Sequence, residues 1–469
     1  MIPLLDIPEI VQYYAPYFRS VFSEAAFLQF QRYISGLIVS ENKTIEGINR
    51  LFVVETRNQS SLNRLLTESP FSVEALEQAR LELLQDQAET QIKPKGVLSV
   101  DDTLLAHYGR CFEKIAWLYD PALRCYTWAH NLVGLHYSDD QTDYPVRFCL
   151  WQPADLDRIE AGLRAAGIQV KASKLTLKQD EEKKWRQYLL GLWRRKQNQP
   201  EVAALYKSKL TLAEELLRAF VATHPAAKLP VVFDSWYTQP AFCRMLDQQL
   251  KLAYVGALSE DDIVVLASGA ETVGGFARRL LRQHHEQLRA GGVAIFHKQT
   301  IVYKGQRESY YSYSAVHRLK NYGKLRLVIN HRQEDLSDTP KYLISNRLKW
   351  QAGGITRIAR HRWSIEVYHE EGKAEGLDQY QLRDFEAIYR HVALVAVVYS
   401  LLRRAQHDRD LLKRLQCHVE ASLDDSPASK RRTTQAQALW SLAVFISASL
   451  VQGIPLKQVM APLLQAVAY

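Results

Sequence analysis

Apolar positions recur with helical spacing behind Ser23, at Ala26, Phe27, Phe30, Ile34 and Leu37. A serine in that place can accept the first free backbone N–H, so the pattern predicts a capped amphipathic helix. A second helix is expected from Thr44 through Phe52, and a third opens at Ser72, after the break at Ser69-Pro70. Residues 1–92 therefore read as a helical domain. The polar stretch Gln85 to Lys95, which carries Pro94, marks its end.

From Gly96 the period changes. Gly96 to Thr103, Tyr126 to Tyr137 and Tyr144 to Trp151 read as strands, separated by the turn signals Asp120-Pro121 and Ser138-Asp139-Asp140. They predict an antiparallel meander. A strongly basic amphipathic region follows, with Lys171, Lys174, Lys178, Lys183, Lys184, Arg186, Arg194, Arg195 and Lys196 interleaved by Trp185 and Trp193. Its plain reading is a solvated helix face; the alternative is contact with phosphates. Next come a helix from Lys209 to Ala222, a strand from Leu229 to Phe233, a helix opened by Thr238 and Pro240, and a strand from Leu252 to Leu258. Strand, helix and strand in that order imply parallel pairing.

Strand-like runs at Ile263 to Leu266, Val293 to Tyr303, Ser309 to Val316 and Lys324 to Asn330, with a basic helix near Ala277 to Arg289, make 259–345 a β-rich insertion. Ile355 to Gly376 lacks proline and reads as one helix, capped by Thr356 and stopped by Gly376. The apolar runs Val392 to Leu402 and Ala438 to Val451 are shorter than the ~20 residues of a membrane span and are expected to be buried helices. A polar linker, Ser422 to Thr434, holds Lys430-Arg431-Arg432.

These elements predict a mixed α/β fold divided into a helical 1–92, a core in two parts (93–258 and 346–405) around the insertion 259–345, and a helical tail 406–469. A chain of 469 residues is too long for one ordinary core. Hydrophobic content of 47% and charged content of 24% are those of a soluble globular protein. Sixty Lys and Arg against 51 acids leave +9, which favours a polyanionic partner. Five cysteines, an odd number without CxxC spacing, argue against a disulfide framework or structural zinc and fit a reducing cytoplasm. The N-terminus lacks the basic start and apolar centre of a signal peptide.

Candidate chemistry gathers on three separated acids. At about 100° per residue, Arg362 and Lys373 fall within roughly 40° of Glu366 on the helical wheel, so one face shows a carboxylate flanked by cations. Asp101 and Asp234 sit at strand-like ends, in Ser99-Val100-Asp101-Asp102-Thr103 and Val232-Phe233-Asp234-Ser235-Trp236-Tyr237. Adjacent strand residues face opposite ways, so only one of Asp101 and Asp102 can join the site; Asp101 is chosen from its place two before Thr103. Each residue also has an ordinary role open to it: turn residues for the aspartates, a surface i,i+4 ion pair for Arg362 with Glu366, structural roles for His361, His369 and Glu370, and core packing for Trp236 and Trp350 rather than stacking on bases.

In Arg362-x3-Glu366-x6-Lys373, Asp101-x-Thr103 and Asp234-x-x-Tyr237, over roughly residues 20 to 405, the chain resembles the DDE transposases of bacterial insertion sequences. It is most similar to the branch with the signature Tyr-x2-Arg-x3-Glu-x6-Lys, and Ala359 stands at the Tyr position. The resemblance implies an RNase H-like core and two-metal chemistry with Mg2+, for which Mn2+ can substitute. Asp101, Asp234 and Glu366 would be the catalytic metal ligands; Arg362 and Lys373 would hold the DNA backbone, with Lys183, Lys184 and Arg186 as further DNA contacts. It further implies cut-and-paste transposition on double-stranded DNA, with the helical domain 1–92 and the basic insertion binding the inverted repeats, cleaving transposon ends and joining 3′-hydroxyls to target, by a homodimer in the bacterial cytoplasm, at the nucleoid, with no membrane partner. The alternatives are an RNase H-like structure-specific nuclease and a domesticated DNA-binding protein without catalysis.

Overall fold

The computed structural model describes residues 2–54, 56–171, 179–416 and 426–467; Lys174, Lys178, Cys417 and the first part of the expected linker lie outside them. The fold is mixed α/β, an RNase H-like core with added helical regions, built on one sheet of twelve strands. The strands are β1 (Val97–His107), β2 (Ala116–Asp120), β3 (Cys125–Ser138), β4 (Asp143–Trp151), β5 (Val231–Phe233) and β6 (Tyr254–Ala257), then β7 (Ile263–Leu266), β8 (Gly269–Thr272), β9 (His297–Tyr303), β10 (Gln306–Leu319), β11 (Gly323–His331) and β12 (Lys341–Ser345). Their order is β2-β3-β1-β5-β6-β12-β11-β10-β7-β8, with β4 on β3 and β9 on β10. β1, β5 and β6 are parallel neighbours, while β1, β3 and β4 form the expected antiparallel set. The short strand β2, not anticipated, pairs with the start of β3.

The strands of 259–345 do not form a sheet of their own. β12 pairs antiparallel with β6, so β7 to β12 extend the central sheet. Helices cover both faces. Ala352 and Ile355 of helix Ala352–His361 pack on Val97, Val232, Val255, Val328 and Leu343. On the opposite face, Leu212, Leu217 and Phe220 of helix Lys209–Thr223 bury Leu98, Val100, Val231 and Phe233. Helix Phe385–Ala405 is buried along most of its length and joins the sheet to helices Glu24–Val39 and Val73–Gln85. Each Val or Leu so removed from water contributes about 1.5–3 kcal/mol. Ser23 caps its helix as expected, and Thr44 and Ser72 cap the helices that open after them, the first of which stops at Asn49 and not at Phe52.

Four expectations are corrected. The stretch 355–376 is not one helix: Ala352–His361 and Trp363–Ala374 meet at Arg362. Thr356 is no cap. It lies inside the first helix, where its hydroxyl donates to the Ala352 carbonyl at 2.8 Å and accepts from Asn330. The described part of the linker is helical, since Ser426 caps a helix Pro427–Val451 in which Lys430, Thr433 and Thr434 are buried. The apolar end of that helix is largely exposed rather than buried, with Leu439 56%, Trp440 51% and Val451 85% exposed. Its first turns hydrogen-bond to the body of the fold through Arg431 and Gln435, and further along Leu442 and Ile446 pack against Val53, Met460 and Leu463. By length and composition both Phe385–Ala405 and Pro427–Val451 could cross a membrane, but the first is 78% buried over its most apolar stretch and the second 17%.

Candidate active site

Register decides which side of β1 each acid faces. Opposed residues of antiparallel strands share a face, and Asp101 opposes Gly134. Helix Trp363–Ala374 lies over that pair; a side-chain carbon on Gly134 would sit 3.4 Å from Ile365 Cδ1. That is ordinary contact distance, so Ile365 packs directly on the strand pair beside Asp101. Ser99, on the same face, donates its hydroxyl to the His361 carbonyl at 3.3 Å, and Ser138 Oγ lies 3.0 Å from His361 Nδ1, which fixes the junction between the two helices.

At that junction stands Arg362. Its Nη1 donates to Asp101 Oδ2 at 2.8 Å, and its Nη2 pairs with Glu366 Oε1 one turn further on. The i,i+4 pair that was the ordinary alternative for Arg362 is therefore present, as half of a bridge that also reaches across the fold. Asp101 is pushed up to about 7, first by burial, against the pull of Arg362, and further by the negative charges of Asp234 and Asp102. Burial, with the neighbouring carboxylates, outweighs one arginine.

Asp234 follows β5 and closes a tight turn, its Oδ1 accepting from the Trp236 and Tyr237 amides at 3.0 and 3.1 Å. Tyr237 is buried and its phenol is raised well above the usual value, by burial first and then by Asp102, Asp101 and Asp234. One ring therefore feels all three aspartates. Asp102 points to the other face, where it accepts from Asn131 Nδ2 (2.6 Å), Lys209 Nζ (2.8 Å) and Tyr237 Oη (2.9 Å). It is fully engaged there. Lys209 also sits 4.7 Å from the ring centre of Trp236, which is 45% exposed rather than core. Trp350 is half-buried against the helix Ala352–His361 cluster, as expected.

The other residues singled out are less close. Lys373 is half-buried and acts on Asp378 and His369; among the described residues no ion pair joins it to Glu366. Asp378 is raised by burial, with Lys373 opposing. Lys183 and Lys184 are exposed and Arg186 half-exposed on helix Gln179–Lys196, whose Leu189 and Trp193 pack on Ile159, Leu163 and Val202 in a separate cluster. The structure does not bring these three to the acids. His361 and His369 are buried, and burial pushes them down to about 4 and about 3, so they stand neutral beneath the site. Ala359 packs into the small cluster between its helix and the sheet. Lys209 and Asn131 were missed; nothing local in the sequence links either of them to Asp102.

Among the described residues, no three His, Cys, Asp or Glu side chains are grouped so as to enclose a metal ion. The guanidinium of Arg362 stands between two of the acids. The donor set still suits a hard divalent cation, being carboxylate oxygen without sulfur, and such an ion would favour the ionised form of the buried Asp101.

No curated protein matches the chain. The profile of the family described as DDE superfamily endonuclease matches residues 17–275, more than half of the chain, including Asp101 and Asp234 and ending before Glu366. Asp234 lies just past the end of β5 as expected, whereas Asp101 stands in mid-strand, because β1 stays paired with β3 as far as His107. The sheet, the placing of these two aspartates on neighbouring strands and that match agree, and the chain belongs to the DDE superfamily of endonucleases, enzymes that act on DNA.

Proposed function

We propose that this endonuclease is a cut-and-paste DNA transposase of the Tyr-Arg-Glu-Lys branch, with Ala359 in place of the tyrosine. Asp101, Asp234 and Glu366 are its metal ligands, and Mg2+ its ordinary ion, replaceable by Mn2+. Two such ions would activate the attacking water or 3′-hydroxyl and offset charge building on phosphorus. Arg362 leaves its bridge to bind a phosphate of the scissile strand, for which its planar donor fork is suited. Lys373, one face of the helix further on, holds the adjoining backbone. Lys183, Lys184 and Arg186 bind duplex at a distance from the cut. The acting species is a homodimer on paired transposon ends, in the cytoplasm at the nucleoid.

The observation that carries the reading is the shared guanidinium: two acids 265 residues apart in sequence, Asp101 and Glu366, grip one cation, with Asp234 adding its charge. The test is an assay of DNA carrying the coding region's own flanks, in Mg2+. Strand cleavage at the ends of inverted repeats and joining to a second DNA support it, with Glu366→Gln losing at least about a thousandfold in rate. Nicking of branched DNA without strand joining would make the protein a structure-specific nuclease. Undiminished cleavage by Glu366→Gln would remove the proposed site.

A further inference from the structure

The last residue pair between β1 and β3 is His107 with Trp128, and beyond it β2 and the start of β3 run on as a two-stranded ribbon. The opposed pairs Trp117 with Trp128 and Tyr119 with Tyr126 put four aromatic rings on one face of that ribbon. Trp117 stacks on Tyr126 at 6.3 Å and packs on Trp128 at 5.3 Å; Tyr119 meets Tyr126 edge-on at 5.3 Å. Such a cluster ordinarily builds a core. Here Trp117, Tyr119 and Tyr126 are 53%, 51% and 57% exposed.

The same register leads back to the acids. Trp128 opposes His107, and steps of two along β1 through Leu105 and Thr103 reach Asp101, about 20 Å away on the same face. Arg110, Lys114 and Arg124 are exposed around the ribbon, and no acid among the described residues pairs with them. The ribbon's own acids turn one oxygen each to the backbone: Asp120 Oδ1 accepts from the Ala122 and Leu123 amides, and Glu113 Oε2 from the Phe385 amide. At the ribbon's root a cavity of about 590 Å³ is lined by His107, Tyr108, Phe112, Tyr380, Arg383 and one acid, Asp378, and His107 Nε2 is buried without a hydrogen-bond partner among the described residues.

We infer that this face binds unpaired nucleotides of the DNA strand being processed, with bases stacked on Trp117 and Tyr126, phosphates drawn to Arg110, Lys114 and Arg124, and a base received in the cavity beside His107. An apolar partner protein would leave the three cations without a counterpart. Paired duplex would satisfy the cations but offer the rings no base faces. Unpaired DNA offers both. The inference rests on the DNA-cutting reading for the identity of the strand.

The test uses the full chain and fluorescence anisotropy with an oligothymidylate of about 20 nucleotides and a duplex of equal length. Trp117→Ala/Tyr126→Ala should weaken oligothymidylate binding about tenfold or more, while Trp117→Phe/Tyr126→Phe stays within about threefold and duplex binding is unchanged. Equal binding by the Ala variant, or equal loss on duplex, would overturn the inference. If the Ala variant fails to fold, Arg124→Gln decides: it should lower the salt dependence of oligothymidylate binding by about one ion, and an unchanged slope would overturn the inference. Selective oligothymidylate binding without metal-dependent nicking by the parent protein would sink the transposase reading and leave the platform standing. Nicking without that selectivity would sink the platform alone.

Discussion

Arg362 holds Asp101 at 2.8 Å and Glu366 on the next turn, so a single side chain ties strand β1 to the helix that crosses it. If the guanidinium stands where a divalent cation binds, the two compete. Arg362→Ala should then bind Mg2+ several-fold more tightly without DNA, yet cleave DNA at least about a hundredfold more slowly because a phosphate loses its partner. Arg362→Lys should recover little, since an ammonium cannot fork between two acceptors in fixed geometry. Calorimetric titration with Mg2+ and single-turnover cleavage measure the two halves separately.

The two adjacent aspartates should respond in opposite ways. Asp102 is satisfied by Asn131, Lys209 and Tyr237 on its own face. Asp102→Ala should lower stability by about 1–3 kcal/mol, by leaving Lys209 and Tyr237 with fewer partners, and should keep the rise in melting temperature on adding Mg2+. Asp101→Asn should lose that rise. Thermal melts with and without Mg2+ compare them directly.

Much of this arrangement was legible beforehand, and the remainder has physical causes. Alternation along β1 said that only one of Asp101 and Asp102 could face the metals, but the reason lies in Lys209 and Asn131, which meet Asp102 only through tertiary packing. The spacing of Arg362 and Glu366 gave their ion pair; the reach of Arg362 to Asp101 spans 261 residues and leaves no local trace. Helical periodicity ran unbroken through Arg362, because its backbone stays helical (φ −58°, ψ −33°) while the hydrogen-bonding pattern shifts there. The run Ala438 to Val451 was apolar enough for a core, yet hydrophobicity does not say whether a neighbour is present to cover it. Strand β2, of five residues, was too short to show a period.

The end of the site helix depends on Gly376. At φ +104° it forms a closing turn in which the Leu377 amide donates to the Gly372 carbonyl at 2.8 Å. A side-chain carbon there would lie 2.9 Å from Lys43 Cβ. Gly376→Ala should therefore cost more than about 1 kcal/mol, seen as a lower midpoint in urea.

Beneath the site, Asp143 is buried and accepts from Tyr399 (2.7 Å), Lys304 (2.8 Å) and Arg403 (3.0 Å), with His136 Nε2 at 3.3 Å. Burial alone would raise its carboxyl, but Arg403, Lys304 and His136 outweigh it and hold it well below the ordinary 3.8. A depressed carboxyl stabilises the fold above its unfolded value, and that contribution is lost as pH falls through the folded one. Asp143→Asn should cost about 3–5 kcal/mol at pH 7, because Arg403 is left buried with an uncompensated charge. The gap between variant and parent should narrow below about pH 4, as urea midpoints across pH would show.

The central claim is that Asp101, Asp234 and Glu366 hold metal together, and the most direct measurement is the number of Mn2+ ions bound, read by the loss of the free-ion paramagnetic signal as protein is added. The expected result is two ions per chain for the parent in the presence of uncleaved DNA, and at least one fewer, or at least about tenfold weaker binding, for each of Asp101→Asn, Asp234→Asn and Glu366→Gln. Unchanged stoichiometry and affinity in any one of the three would contradict it.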